Sequence, residues 1–275
     1  MIFVTDKGRM ANNILQYGHL YAWGREHGRT TMSMRFAYKY HDFHICHTPH
    51  HNFLTYLAGK YAAKMKLIPT VDFNNIDSDY RLEQQTMLSH RHLLATGWCV
   101  RFPGLFLKYK SEIQALFAFD DSISTKVDSI LQPFRARLIL GVHVRRGDYA
   151  HWCHGRYFFD DSQYLRVIKE FIRMKAGQDV QVMICGNDPQ LDKACYRQAL
   201  GNDRVTFPHG SATEDLCLLS RCDALIGPPS SFSLIASMYR DTPLHWMTDR
   251  QKPLEELDFK TFDTQFRQFD SYYIE

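Results

Sequence analysis

Apolar runs of strand length alternate along this chain with stretches whose apolar residues recur at helical spacing. The clearest run is Leu138-Ile-Leu-Gly-Val-His-Val144, aliphatic and β-branched residues in near-unbroken succession, which predicts a buried strand. Residues 180–185 repeat the pattern, and 204–207 and 224–226 give shorter versions of it. Helical stretches separate these runs, over 162–174, 190–200, 215–221 and 232–238. Toward the N-terminus, residues 1–5 predict a strand and Gly8 a turn. Asn12 or Asn13 is then expected to cap a helix running through Leu15, Leu20 and Trp23 to about Gly28. A second strand is expected over 30–34, and the next hundred residues carry a weaker pattern, with helices at 52–66, 109–117 and 122–134. Strands and helices in this alternation predict an α/β fold, with parallel sheets covered by helices on both faces. No internal repeat, low-complexity tract or Gly/Ser linker interrupts it. A boundary is expected between 120 and 137, where helix and proline separate the two patterns; dividing at 130 gives an N-terminal domain, 1–130, and a C-terminal domain, 131–275.

Composition narrows the class. With 275 residues, 45% hydrophobic and 23% charged, the chain can bury the core of one large or two medium domains. A net charge of +3 is too slight for a nucleic-acid surface, and no uninterrupted apolar run approaches a bilayer span. The opening Met-Ile-Phe-Val-Thr-Asp-Lys-Gly-Arg turns polar too soon for a cleaved signal peptide. Seven scattered cysteines, an odd number, argue for free thiols in a reducing compartment, so a cytoplasmic location is expected. Cys217 and Cys222 lie in an apolar segment and read as buried small hydrophobes.

Candidate chemistry collects where the 138–144 run ends. His143, Arg145, Arg146 and Asp148 arrive there, and in an open α/β sheet ligands sit beyond the carboxyl ends of the strands. Two adjacent arginines, with Gly147 letting the backbone turn sharply, suit a phosphate ester, which guanidinium forks grip bidentately at any working pH. The same residues also read as a structural cluster, with Arg146 bracing the loop against an acid and Asp148 holding it in place. His143 shares a side of the strand with Arg145, because side chains alternate. It either touches a phosphate or ribose or is a satisfied, half-buried histidine. Ser230, Ser231 and Phe232 open a helix, where hydroxyls and free N–H groups suit a pyrophosphate or simply cap the helix. Asp188, in Gly186-Asn-Asp-Pro189, either joins a nucleotide pocket or belongs to an ordinary turn.

Three blocks, in order, resemble one family. His143-Val-Arg-Arg-Gly-Asp-Tyr149 resembles the HxRRxDY signature of the α-1,2-fucosyltransferases, glycosyltransferase family 11, relatives of the α-1,6- and protein O-fucosyltransferases. Gly8-Arg-Met-Ala-Asn-Asn-Ile-Leu-Gln-Tyr17 resembles the family's GRxGNQxFQY. Asp215-Leu-Cys-Leu-Leu-Ser-Arg-Cys-Asp-Ala-Leu-Ile226, followed by Ser230-Ser-Phe-Ser233, resembles its DLxLMSxCxxxIxxxSSFSWWG. The resemblance implies a GT-B architecture, two Rossmann-type domains facing a cleft, with the donor held mainly by the C-terminal domain. It implies GDP-fucose as donor, a galactose-containing glycan as acceptor, α-1,2 linkage with inversion, and no metal or other cofactor. Arg145 would grip the β-phosphate and stabilise the charge left on GDP. Asn12, whose other reading is a helix cap, would donate to the leaving phosphate or glycosidic oxygen, with Arg9 and Gln16 bracing its loop. Asp215, otherwise a cap, would recognise guanine by accepting from N1–H and the 2-amino group. His143, Arg146, Asp188, Ser230, Ser231 and Phe232 would complete the nucleotide pocket. Asp148 positions the loop or acts as base, and Asp72, Asp77 and Asp79 are further candidates for the base.

The chain departs from the family at Ala11, where the pattern has Gly, at Asn13, where it has Gln, and at Leu234-Ile-Ala-Ser237, which replaces Trp-Trp-Gly-Ala. Pro228-Pro229 also stands where small or polar residues are usual. These changes spare phosphate handling and bear on acceptor and linkage. They motivate an alternative: a non-catalytic nucleotide-sugar or glycan-binding protein of the same fold. A third reading, a phosphate-binding or metal-dependent hydrolase, draws on His41, His44, His47, His50 and His51, which recur near Cys46 at spacings that share a helical face. A polar loop is the plainer account of those histidines. An enzyme acting on a lipid-linked glycan could also visit the inner membrane surface, for which a few basic and aromatic residues suffice.

Overall fold

The computed structural model describes residues 1–5, 7–75, 78–186 and 188–272; Asp77, a candidate base, and Asn187 of the Gly-Asn-Asp-Pro turn lie outside the described residues. The chain divides into two compact units, Met1–Asp120 and Asp121–Glu275.

The first unit runs β1 (Ile2–Thr5), α1 (Met10–Glu26), β2 (Thr31–Ser33), α2 (Phe53–Lys64), β3 (Thr70–Asp72), α3 (Arg81–Ser89), β4 (Leu93–Thr96), α4 (Pro103–Lys108) and α5 (Lys110–Leu116). Its four strands are all parallel, in the order β2-β1-β4-β3. The apolar pattern does not show β3, α3, β4 and α4, for a physical reason. Both strands are only three or four residues long, and β3 buries Val71 alone. Helix α1 begins at Met10 with Arg9 in the capping position and no side-chain cap, so neither Asn12 nor Asn13 caps it. The histidine segment is not a helix: it contains one short 3-10 turn, His44–His47, so its spacing by threes places no common face. Within it, His51 is buried and accepts from the Ser33 N–H at 3.0 Å, and His47 pairs with Asp120 at 3.1 Å. Among the described residues, no group of three or more His, Cys, Asp or Glu is placed to hold a metal ion.

The second unit runs α6 (Asp121–Leu131), β5 (Leu138–Val144), α7 (Asp161–Met174), β6 (Val180–Gly186), α8 (Lys193–Leu200), β7 (Val205–Thr206), α9 (Ala212–Leu219), β8 (Ala224–Gly227), α10 (Ser231–Met238), β9 (Leu244–Trp246) and α11 (Phe262–Gln268). Helix α6 falls in this unit rather than before a break at 130. It buries Ile123, Val127 and Leu131, four residues apart, and ties itself to α9 and the turn after it through Lys126–Glu214 and Asp128–Arg221, each 2.6 Å. The five strands are parallel, in the order β7-β6-β5-β8-β9. Numbered within the unit, this is 3-2-1-4-5, the doubly wound order, and it reverses between β5 and β8.

Local sequence explains the fit of helices to this sheet. Asp160 and Gln163 form a capping box that starts α7, and Tyr164, Leu165, Val167, Ile168 and Phe171 then form one buried stripe. Those side chains meet Leu140, Val142 and Val144 in a single apolar cluster, where each fully buried large side chain contributes roughly 1.5–3 kcal/mol. On the opposite face of β5, a Cβ at Gly141 would lie 2.7 Å from Leu225 and 2.8 Å from Leu219, so glycine there lets α9 close on the sheet. All seven cysteines are free, and Cys217 and Cys222 are buried as expected.

Candidate functional site

The strand order of the second unit puts two loops side by side at the carboxyl ends of β5 and β8. The loop after β5 carries Arg145 to Tyr149, and the loop after β8 carries Pro228 to Ser230 into α10. Tyr149 links them, its hydroxyl donating to the Pro229 carbonyl at 2.6 Å. Sequence reasoning assigns this tyrosine no role; its only signal is its place as the last residue of the signature.

Arg145 is aimed rather than buried. Its Nη2 and Nε donate to the two oxygens of Asp148 at 2.7 and 3.3 Å, and its guanidinium lies 4.7 Å from the Tyr149 ring centroid. Its side chain is 20% exposed and that of Asp148 is 51% exposed. A partly desolvated cation held by a carboxylate and an aromatic face is preorganised for an anion.

Arg146 points elsewhere. Its side chain is 9% exposed and donates to Asp161 at 2.5 Å, to Asp188 at 3.1 Å and to the Phe159 carbonyl at 2.8 Å. Three of the guanidinium's five N–H groups are thus engaged within the protein, and with Asp188 and Asp161 they brace the loop. Asp161, the partner that sequence reasoning misses, stands in the first turn of α7, where an acid passes for ordinary dipole stabilisation. Gly147 is not in the left-handed region, and a Cβ on it would meet open space. The strained backbone lies further on, at Cys153 and His154 with φ of 45° and 52°. Each such residue costs about 1–2 kcal/mol.

His143 is 8% exposed, its ring 4.9 Å from that of Phe232, and its Nδ1 is buried without a hydrogen-bond partner. Burial, and after it the Arg145 charge, hold the imidazole down to about 3, so the ring is neutral. Ser230 is the cap of α10, accepting from the Phe232 N–H at 3.1 Å, and both Ser230 and Ser231 are buried. Asp215 does not cap α9; Ser211 does, in a capping box with Glu214. Asp215 instead faces Cys185 near the end of β6. Burial, and after it the Glu214 charge, push its carboxyl up to about 7, against the pull of a Cys185 hydrogen bond.

In the first unit, the β2-β1-β4-β3 order reverses between β1 and β4, and the Gly8 loop follows β1 at that reversal. Gly8 has φ +85°, and a Cβ there would come within 2.4 Å of the Asn12 amide nitrogen, so glycine serves both the turn and the seating of Asn12. Gln16 clasps the loop, donating to the Lys7 carbonyl at 2.8 Å and accepting from its N–H at 3.0 Å, and Asn13 donates to the same carbonyl at 3.0 Å. Asp72 is exposed at the end of β3, and Asp79 is paired with Arg81 at 2.8 Å.

Two parallel α/β units, one presenting a cationic loop beside a helix N-terminus at its switch point, define a GT-B-type protein. The chain belongs to glycosyl transferase family 11, whose profile matches residues 4–241. It is similar to galactoside alpha-(1,2)-fucosyltransferase 2 of Rattus norvegicus, 25% identical over an alignment of 256 positions that covers 86% of this chain and 66% of the relative, just under two thirds of its length. Among solved structures it resembles an Arabidopsis thaliana FUT1 mutant in complex with GDP, with a TM-score of 0.61 and 11% identity, covering 94% of this chain and 73% of that one. It also resembles POFUT1 in complex with GDP-fucose, with a TM-score of 0.58, 14% identity and coverage of 90% and 96%. NodZ alpha-1,6-fucosyltransferase soaked with GDP-fucose gives a TM-score of 0.54, 14% identity and coverage of 90% and 94%. At these identities the likenesses establish the fold.

Proposed function

We propose that the chain transfers fucose from GDP-fucose to a galactose-containing glycan, in α-1,2 linkage, with inversion at C1 and without a metal. The observation that carries this reading is Arg145, held by Asp148 and Tyr149 at the switch point of the second unit. As the acceptor oxygen bonds to C1, the bond from C1 to the β-phosphate oxygen breaks and its electron pair leaves with GDP. Arg145 meets that charge where it develops, the task a divalent metal performs elsewhere. The α10 N-terminus, with Ser230, Ser231 and Phe232, takes the pyrophosphate, and Asn12 donates to the leaving oxygen. Asp148 is read as a positioning residue, because its carboxylate is engaged by Arg145. Its proton-abstracting role falls instead to an acid such as Asp72, exposed at a strand end. His143, being neutral, contributes packing rather than charge.

Incubation with GDP-fucose and a galactose-terminated oligosaccharide should yield a product with an α anomeric fucose on the galactose 2-hydroxyl, read by NMR. Transfer to another position would retain the donor chemistry and overturn the linkage. GDP binding without any transfer would favour the non-catalytic alternative.

Asp215 makes this reading depend on pH. To accept from guanine N1–H and the 2-amino group it must be ionised, yet its proton leaves the free protein only near 7. Binding therefore expels a proton below that pH, and GDP affinity should fall about tenfold from pH 8 to pH 6. Asp215→Asn should bind GDP weakly and without that slope; an unchanged slope would remove Asp215 from guanine recognition.

A further inference from the structure

Helix α2 is built inside out. Its one buried residue is Gly59, seated so close to Phe3 that a Cβ would lie 2.3 Å from the ring. Tyr56 packs on the core around Phe3, but other large apolar side chains point the other way. Leu54, 78% exposed, Tyr61 and Met65 recur at spacings of seven and four and so form one outward stripe, which Leu67, 71% exposed, extends past the helix end. A helix whose role were only to cover the sheet would be polar on that side.

Charge follows the same geometry. Between Asp42 and Asp72 there is no acidic residue, while Lys60 and Lys64 run along one flank of the stripe. That flank borders a cavity of about 440 Å³ lined by Arg35, Lys60, Lys64, Tyr38 and Tyr56 among others and, among the described residues, by no acid. Beyond the helix end and its cap Met65 comes Lys66, whose φ of +57° is the left-handed position that glycine fills most easily. The return bonds are in place, from the Leu67 N–H to the Ala62 carbonyl at 2.9 Å and from the Lys66 N–H to the Ala63 carbonyl at 3.0 Å. A lysine there costs more backbone strain than glycine would.

We propose that this face of α2 docks on an anionic lipid surface, with Leu54, Tyr61, Met65 and Leu67 entering the headgroup and acyl boundary. Lys60, Lys64 and the cavity beside them take the headgroup phosphates. An outward apolar stripe flanked by lysines, on a helix too short to cross a bilayer, combines the two attractions that hold a protein face at an anionic interface, apolar burial and charge. A second copy of the chain fits less well, because a twofold contact through this patch would set lysine against lysine with no acid between. Docking of this face is independent of the donor chemistry.

Co-sedimentation of the full chain with vesicles tests it. Binding is expected to vesicles of phosphatidylcholine mixed with phosphatidylglycerol, not to phosphatidylcholine alone, and should weaken with salt. The double variants Lys60→Glu/Lys64→Glu and Leu54→Ser/Met65→Ser should each weaken partition at least about tenfold. Lys66→Gly should weaken it about fivefold without lowering the melting temperature, a combination that damage to folding cannot give. Equal binding to both vesicle types, or variants that pellet like wild type, would overturn the proposal. So would release by soluble glycerol phosphate, which assigns the cavity to a free ester. A dimer in sedimentation velocity that Leu54→Ser/Met65→Ser dissolves makes a second copy the occupant and overturns it as well.

Discussion

Arg145→Ala should lower kcat/KM for fucosyl transfer by about 10³-fold, ~4 kcal/mol of transition-state stabilisation, with little change in melting temperature. The two halves of this result come from different parts of the site. The lost rate reflects a fixed cation at the point where GDP accumulates charge, a term that water cannot replace without reorganising. The spared stability reflects Asp148, the partner left behind, whose side chain is 51% exposed and is readily resolvated. Arg145→Lys should recover little. A lysine is a point charge on a flexible stem, and it cannot keep two bonds to Asp148 while offering a planar edge to a phosphate. Steady-state kinetics with calorimetric melting of the same samples separates the effects. A large loss of stability in Arg145→Ala would mean that the residue is structural.

The neighbouring position should behave in the opposite way. Arg146→Ala is expected to destabilise the protein by roughly 3–5 kcal/mol, because it leaves two carboxylates and a carbonyl without their common cation in a nearly closed pocket. For a domain of this size that is a fall in melting temperature on the order of 10 °C. Whatever activity remains below the transition should be close to normal per folded molecule, since the guanidinium is turned into the scaffold. Calorimetric melting and then active-site-normalised kinetics check both statements. A stable variant with a large kinetic defect would move Arg146 into the phosphate site.

Adjacent arginines turned to different partners show what the sequence makes legible. The strand, the loop and the presence of two cations at its end are written in the apolar run from Leu138 to Val144 and in the Arg145-Arg146-Gly147 step beyond it. Which guanidinium faces out depends on Asp161 and Asp188, 15 and 42 residues away, and no local pattern records that pairing. The second unit is the easier to read because β5 and β6 are seven residues each and buried nearly throughout. In the first unit β3 and β4 are too short to show a period, and the sheet is closed by parallel neighbours distant in sequence. Capping at α1 and α9 departs from expectation for related reasons. Asn12 and Asn13 look like caps, yet Asn13 and Gln16 bind the loop from inside the helix. At α9 the cap is Ser211, four residues before Asp215. The raised Asp215 carboxyl and the orphaned His143 Nδ1 are products of burial and can be seen only in three dimensions.

In the proposed reaction the second unit holds a guanosine diphosphate on Arg145. Calorimetric titration with GDP, GDP-fucose, GDP-mannose and UDP-galactose, in EDTA, on wild type and Arg145→Ala tests it most directly. Tight binding of GDP and GDP-fucose that survives the chelator is expected, with weak binding of UDP-galactose and collapse of all guanine-nucleotide binding in the variant. Equal nucleotide binding by both proteins, or none by wild type, would contradict it.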